Sequence, residues 1–349
     1  MEIGVTGRPG SGKTTFAYYL NQLLPNSYFP DMDMLYHNRG HEKMMDSIGW
    51  RYVTAGINKE EADKSYEYII ELCKEKGIEI YGDLSLKEKA SYSLSKLSFK
   101  YTREYLDREI PKNCDFVIMD FYLLPYLKEF SSLDCSVFLD VDSSIRYNHA
   151  LKRMSKNEGK EFSKEERESR IRKMEEFEKK ENINYNLINY DLILKNPSTL
   201  KDLEEEAKKL SLKILKKYSK AQINDMVKRE YEYSLNKVIE PSNSFSFRRY
   251  AYNELKESFG EILIDKLFFL YENDLIDKEM FDLFLEKKIY AIKYYLDKNK
   301  TSLYLEEKTK EFSLELKENI EEFYKKDLID KDLYNKLMKE TKRFKKTIR

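Results

Sequence analysis

An α/β fold, with a parallel sheet carrying helices on both faces and an all-helical C-terminal region, is the architecture this sequence predicts. Three observations carry that expectation. Short apolar runs alternate with helix-like text over residues 1–215, a glycine-rich loop stands directly behind the first run, and strand-like text stops after Asn196-Pro197-Ser198. With 349 residues, 41% of them hydrophobic and 14% aromatic, the chain has material for a packed core and the length of two domains. The boundary is expected between residues 219 and 220, the first domain carrying a charged helical lid around 146–182.

The first strand candidate is Ile3-Gly4-Val5-Thr6, followed by Gly7-Arg8-Pro9-Gly10-Ser11-Gly12-Lys13-Thr14. This run has the Gly-x-x-Gly-x-Gly-Lys-Thr form of a phosphate-binding loop. Closely spaced glycines let backbone N–H groups turn inward around a triphosphate without a Cβ clash. Gly7, Gly10, Ser11, Gly12, Lys13, Thr14 and Thr15 are therefore the nucleotide-binding candidates. Lys13 would reach the β/γ oxygens and Thr14 would offer its hydroxyl to Mg²⁺. From Thr15 to Leu20 the text is helical, which aims a positive helix end at the phosphates. ATP and Mg²⁺ are the implied cofactors.

The other strand candidates are Asp115 to Met119, Ser136 to Leu139 and Asp191 to Leu194, with Ile78 to Tyr81 a further one. They read as strands buried on both faces, and ligands collect at the carboxyl ends of such strands. Residues Glu60 to Ile110 read as mostly helical, Arg146 to Asn182 as a long, densely charged helical stretch, and Leu200 to Tyr218 as the helix closing the α/β unit. Beyond it, Pro241 to Ser244 reads as a loop. Tyr271-Glu272-Asn273-Asp274-Leu275-Ile276-Asp277 returns as Tyr324-Lys325-Lys326-Asp327-Leu328-Ile329-Asp330, a duplicated helical hairpin with Asp277 or Asp330 as the cap of a new helix.

Charge sets limits. Lys plus Arg number 63 and Asp plus Glu 63, so no global field favours nucleic acid or an anionic membrane. The aromatic-basic run Phe245 to Tyr250 is read as packing rather than as a nucleic-acid grip. No apolar run is long enough to span a bilayer, and the N-terminus lacks signal-peptide form. Cys73, Cys114 and Cys135 suit reduced thiols, and the histidines His37, His41 and His149 lack metal-ligand spacing. A cytoplasmic protein is expected.

Further segments choose among nucleotide proteins. Tyr28-Phe29-Pro30-Asp31-Met32-Asp33-Met34-Leu35-Tyr36 resembles the second strand of the uridine kinase and phosphoribulokinase-like group of P-loop kinases, which ends in Asp-x-Phe-Tyr. The resemblance makes Asp33 the base that accepts the proton of a substrate hydroxyl. Asp31 competes, because an offset of two keeps both on one side of an extended strand. Asp120 ends the Asp115–Met119 strand where the family has Glu-Gly, so a metal role passes to Asp120 while Phe121 stands in place of the glycine. Asp140-Val141-Asp142 leads into a segment similar to the family's arginine-rich lid helix. Arg146 and Arg153 are in register there, while His149-Ala150 and Met154 depart from the pattern. Arg153 is the assigned lid residue, with Arg167, Arg170 and Arg172 candidates for a second. Asn196 to Ser198 resembles the loop that lies against adenine, read through backbone groups, and Trp50 and Tyr52 fall where the acceptor pocket is built.

The expectation is an ATP-dependent kinase for a hydroxyl-bearing small metabolite, a nucleoside or riboside first. The C-terminal helices are expected to mediate self-association or to cover the active site, and a chain ending near Tyr218 to bind ATP alone. The alternative, of a different class, is a nucleotide-dependent switch or ATPase whose C-terminal helices bind a protein partner.

Overall fold

The computed structural model describes residues 1–48, 59–78, 84–122, 133–181, 185, 189–197, 199–239, 261–286, 314 and 317–346. Trp50, Tyr52, residues 79–81 of the extra strand candidate, Pro241 to Ser244, Phe245 to Tyr250 and Ser198 lie outside these residues. Ile78 is not in a strand.

Among the described residues, five strands form one parallel sheet: β1 (Glu2–Gly7), β2 (Ser27–Tyr28), β3 (Phe116–Asp120), β4 (Cys135–Asp140) and β5 (Leu192–Lys195). Their order is β2-β3-β1-β4-β5, and every pairing is parallel. Consecutive residues of a strand point to opposite faces, and in β1 residues 3 to 7 are all buried, so both faces of the sheet are covered. Helices α1 (Lys13–Leu23), α2 (Met32–Met34), α3 (His41–Ile48), α4 (Lys59–Glu75), α5 (Leu86–Glu109), α6 (Ser143–Glu158), α7 (Lys164–Glu181) and α8 (Leu200–Leu215) lie between and after the strands. In α1 the apolar positions Phe16, Leu20 and Leu23, with Ala17, repeat at helical spacing and are buried. Among the described residues, no helix is long and apolar enough to cross a membrane.

The central place of β1 follows from its composition, which has no charged residue after Glu2. Register then fixes the surroundings of its end. Val5 lies opposite Asp120 and Gly7 opposite Leu139, so the loops leaving β1, β3 and β4 open at one edge of the sheet.

One expectation is refined and one corrected. The charged helical stretch from Arg146 to Asn182 falls into two helices: Gly159 ends α6 in a left-handed turn (φ 66°), and Ser163 starts α7 in a reciprocal cap with Glu166. The strand read before Asp31 stops at Tyr28, and Asp33 lies instead in the short helix α2. Pro30, without an N–H, cannot extend the ladder, and the backbone turns so that the Asp31 carbonyl accepts from the Leu35 N–H at 3.0 Å. Asp31 and Asp33 thus do not share one side of an extended strand.

The chain divides into two compact units, Met1–Asn21 with Ser27–Ala207, and Gln22–Asn26 with Lys208–Arg349. In the second unit both copies of the repeated segment make the same turn. Asp274 and Asp327 each adopt φ 55°, and the N–H groups of Leu275 and Leu328 reach back to the carbonyls of Leu270 and Phe323. The Asp330 carboxylate caps the following helix by accepting from the Leu333 N–H at 2.7 Å. Tyr271 stacks on Phe281 at 4.8 Å and Tyr324 on Tyr334 at 4.4 Å. A buried pair, Lys266 with Glu230 at 2.5 Å, sits in this unit, and the other Glu230 oxygen takes the N–H of Asn26.

Candidate functional site

The loop between β1 and α1 is fixed by close approach. Gly10 has φ +81°, and a Cβ there would lie 2.7 Å from the carbonyl oxygen of Arg146. At Gly7 a Cβ would lie 2.6 Å from the Ser11 hydroxyl and 2.9 Å from the Leu139 carbonyl. Only glycine lets the backbone pass at these two points. The Phe16 N–H donates to the Gly12 carbonyl and closes the first turn of α1. The N–H groups of Lys13, Thr14 and Thr15 precede that turn and, as in any helix start, have no intrahelical acceptor. No acidic residue occupies this first turn, so the positive helix end keeps its field. The Ser11 hydroxyl is buried and has no hydrogen-bond partner.

Around the helix end the charged groups converge. The Thr14 hydroxyl donates to Asp120 Oδ2 at 2.5 Å. Burial lowers the pKa of Lys13, while the charges of Asp120 and then Asp33 oppose that, and the charge of Arg153 adds to it. Burial raises the pKa of Asp120; the Thr14 hydrogen bond and the Lys13 charge lower it, and the charges of Asp33 and Asp31 raise it. Lys13 and Thr14, with Asp33, Asp120 and Arg153 from three other segments of the chain, therefore act on one region at the start of α1. The two facing oxygens, a hydroxyl and a carboxylate, suit a hard cation that keeps water and takes its other ligands from phosphate. Among the described residues, no group of three His, Cys, Asp or Glu side chains gathers as a protein cage for a metal.

Asp33 is aimed by the apolar face of its own segment. Met32, Leu35 and Tyr36, at helical spacing, are buried in a cluster with Phe99, Val117, Met119 and Phe121, which leaves Asp33 exposed. Phe121, where a glycine was expected by resemblance, is fully buried. Its ring meets Tyr36 at 5.2 Å and Phe99 at 5.5 Å, so it binds the segment carrying Asp33 to the strand carrying Asp120. Thr6 adds a hydroxyl donated to the Phe121 carbonyl at 2.9 Å.

Other expected residues have different employment. The Asn196 N–H donates to the Asp140 carbonyl, and its side chain clasps Asp142 in both directions, with Nδ2 to Asp142 Oδ2 at 2.9 Å and the Asp142 N–H to Oδ1 at 2.8 Å. That N–H is spent inside the fold and is no reader of adenine. Arg146 is buried rather than poised over a ligand: it pairs with Glu178 and donates to the carbonyls of Val141 and Pro9. Arg170 pairs with Glu158 and lies 4.0 Å over the Phe162 ring, Arg167 donates to the Phe162 carbonyl, and Arg172 is exposed. Arg153 is exposed and lines, with Pro9, Gly10, Tyr147 and Lys173, a cleft of about 660 Å³ between α6, α7 and the loop. Glu178 was missed altogether. Nothing marks it among the glutamates of α7, and only its placement opposite Arg8 and Arg146 reveals it.

No protein-family model matches the chain, and no curated protein matches it. Among solved structures the chain is similar to TT1252 from Thermus thermophilus, known from a crystal structure, at 20% identity over 61% of this chain and 97% of that one, with a TM-score of 0.33.

Proposed function

We propose that the protein is an ATP-dependent kinase of the P-loop NTPase fold that phosphorylates a hydroxyl group of a small metabolite, a nucleoside or riboside first. The observation that carries this reading is the convergence at the start of α1 of Lys13, the Thr14–Asp120 pair and the charge of Asp33. A glycine-rich loop alone would serve a switch as well as a kinase. A free carboxylate facing the lysine adds the one group that an alcohol acceptor needs.

In this reading the N–H groups of Lys13, Thr14 and Thr15 hold the phosphates, and Lys13 neutralises the β/γ oxygens as charge develops there. Thr14 and Asp120 would hold Mg²⁺, which when bound supplies further neutralisation of the phosphate oxygens. Asp33 accepts the proton of the acceptor hydroxyl while the new P–O bond forms and the bond from the γ-phosphorus to the β–γ bridging oxygen breaks. Arg153, unburied on α6, would close on the phosphates, a reading that its effect on Lys13 supports.

The test is a coupled assay of ADP release with Mg²⁺ and ATP against nucleosides, ribosides, vitamin precursors and sugar phosphates. One class of acceptor is expected to raise ADP release well above the acceptor-free rate. Hydrolysis indifferent to every acceptor but stimulated by a protein partner would favour the switch instead.

A further inference from the structure

We infer that Arg146, clamped by Glu178, is a positioning residue that sets the shape of the glycine-rich loop for the triphosphate, an inference that rests on the nucleotide-binding reading above. Arg146 stands in the first turn of α6 with its side chain 3% exposed, so it meets no ligand itself. Its donors go three ways. Nε reaches the Val141 carbonyl at 2.9 Å, Nη1 the Pro9 carbonyl at 3.2 Å, and Nη1 and Nη2 grip both oxygens of Glu178.

The Pro9 contact is the informative one. Every peptide bond among the described residues is trans, and across a trans plane the carbonyl and the following N–H point in opposite directions. Holding the Pro9 carbonyl toward Arg146 therefore turns the Gly10 N–H away from α6. The Arg146 carbonyl, 2.7 Å from the place of a Gly10 Cβ, prevents the loop from sinking further, and His149 Nδ1 stands 3.4 Å from the Gly10 carbonyl. The loop is thus braced from outside, and its donors are left for the inside.

Glu178 makes the brace affordable. A buried guanidinium without a carboxylate is strongly disfavoured. Glu178, on α7, also accepts from Arg8 Nη1 and from the Tyr147 hydroxyl, each at 3.2 Å. Burial pushes the Glu178 carboxyl up, but the hydrogen bond and charge of Arg146, with those of Arg8, outweigh it and hold its pKa below the ordinary value. Arginine is needed because its rigid planar fork carries five donors and meets four acceptors here, where a lysine ammonium has only three donors.

The test is equilibrium titration of the full chain with a ribose-labelled fluorescent ATP and Mg²⁺, performed well below the melting temperature of each variant. Arg146→Lys is expected to weaken ATP binding about tenfold or more, and Glu178→Gln about threefold or more, with the far-UV spectrum unchanged. A residue that only stabilised the fold would lower Tm and leave the affinity of the folded protein untouched. A folded Arg146→Lys that binds ATP within about twofold of wild type overturns the inference. If Arg146→Lys does not fold, wild-type affinity in Glu178→Gln overturns it by the same criterion. A wild-type chain that binds no ATP overturns the functional reading itself, which separates the two failures.

Discussion

Burial works against the charge on Lys13, and the carboxylates of Asp120 and Asp33 work for it. Lys13→Ala is expected to abolish most of the turnover, since a charge-assisted contact that strengthens in the transition state is worth several kcal/mol, or roughly 10²-fold or more; a steady-state assay checks it. Asp33→Asn is expected to lower kcat by roughly 10²- to 10⁴-fold while ATP binding stays near normal. Asp31→Asn should do far less, because the charge of Asp31 acts on Asp120 more weakly than that of Asp33. Asp120 makes a stability prediction of opposite sign. Burial is the largest influence and raises its pKa from the ordinary 3.8, so the folded state binds this proton more tightly than the unfolded state. Stability is then lost as pH rises from the unfolded pKa through the folded one, and it stays lost above both. Asp120→Asn should therefore raise Tm at neutral pH without metal and flatten the acid-side dependence of Tm, while removing activity. An unchanged or lower Tm in thermal scans from about pH 4 to pH 7 would contradict the assignment.

At the scale of elements, the duplicated turn offers a measurable cap. Asp330→Ala removes the acceptor of the Leu333 N–H, which should cost about 1 kcal/mol and lower Tm by about 2–4 °C, read by calorimetry. The same elements show what was legible in the sequence. Strands buried on both faces announce themselves as apolar runs, and β1, β3, β4 and β5 overlap the runs read at Ile3, Asp115, Ser136 and Asp191. The two-residue β2 offers no periodicity, and the role of Pro30 in ending it changes the geometry of Asp31 and Asp33. Gly159 lay in view inside a charged helical text, and its left-handed turn closes α6 by returning the Gly159 and Lys160 N–H groups to the Ser155 carbonyl. Arg146 fits the spacing of a lid arginine, and only the third dimension, in which Glu178 arrives from α7, turns it inward. Side chains that answer to partners distant in sequence leave no local signature.

At the scale of the molecule, the division of the chain changes one expectation. Gln22–Asn26, the end of α1 and the turn after it, belong with the helical unit, where Leu24 is fully buried and the Asn26 N–H bonds Glu230. A chain ending at Tyr218 would lose Glu230, the acceptor of the Asn26 N–H. We therefore expect it to aggregate or to melt well below the full chain, as light scattering and thermal scans would show, and a soluble truncation of full-length Tm would contradict this. The central claim is that the site formed by Lys13, Thr14, Asp33 and Asp120 transfers phosphate to an alcohol. Its most direct test follows the labelled γ-phosphate of ATP with the best acceptor of the panel, in wild type and in Asp33→Asn. The account predicts that the label appears on the acceptor in step with ADP, and that Asp33→Asn loses this transfer while still binding ATP. Label found only as inorganic phosphate, at the same rate with and without any acceptor and in both proteins, would contradict it.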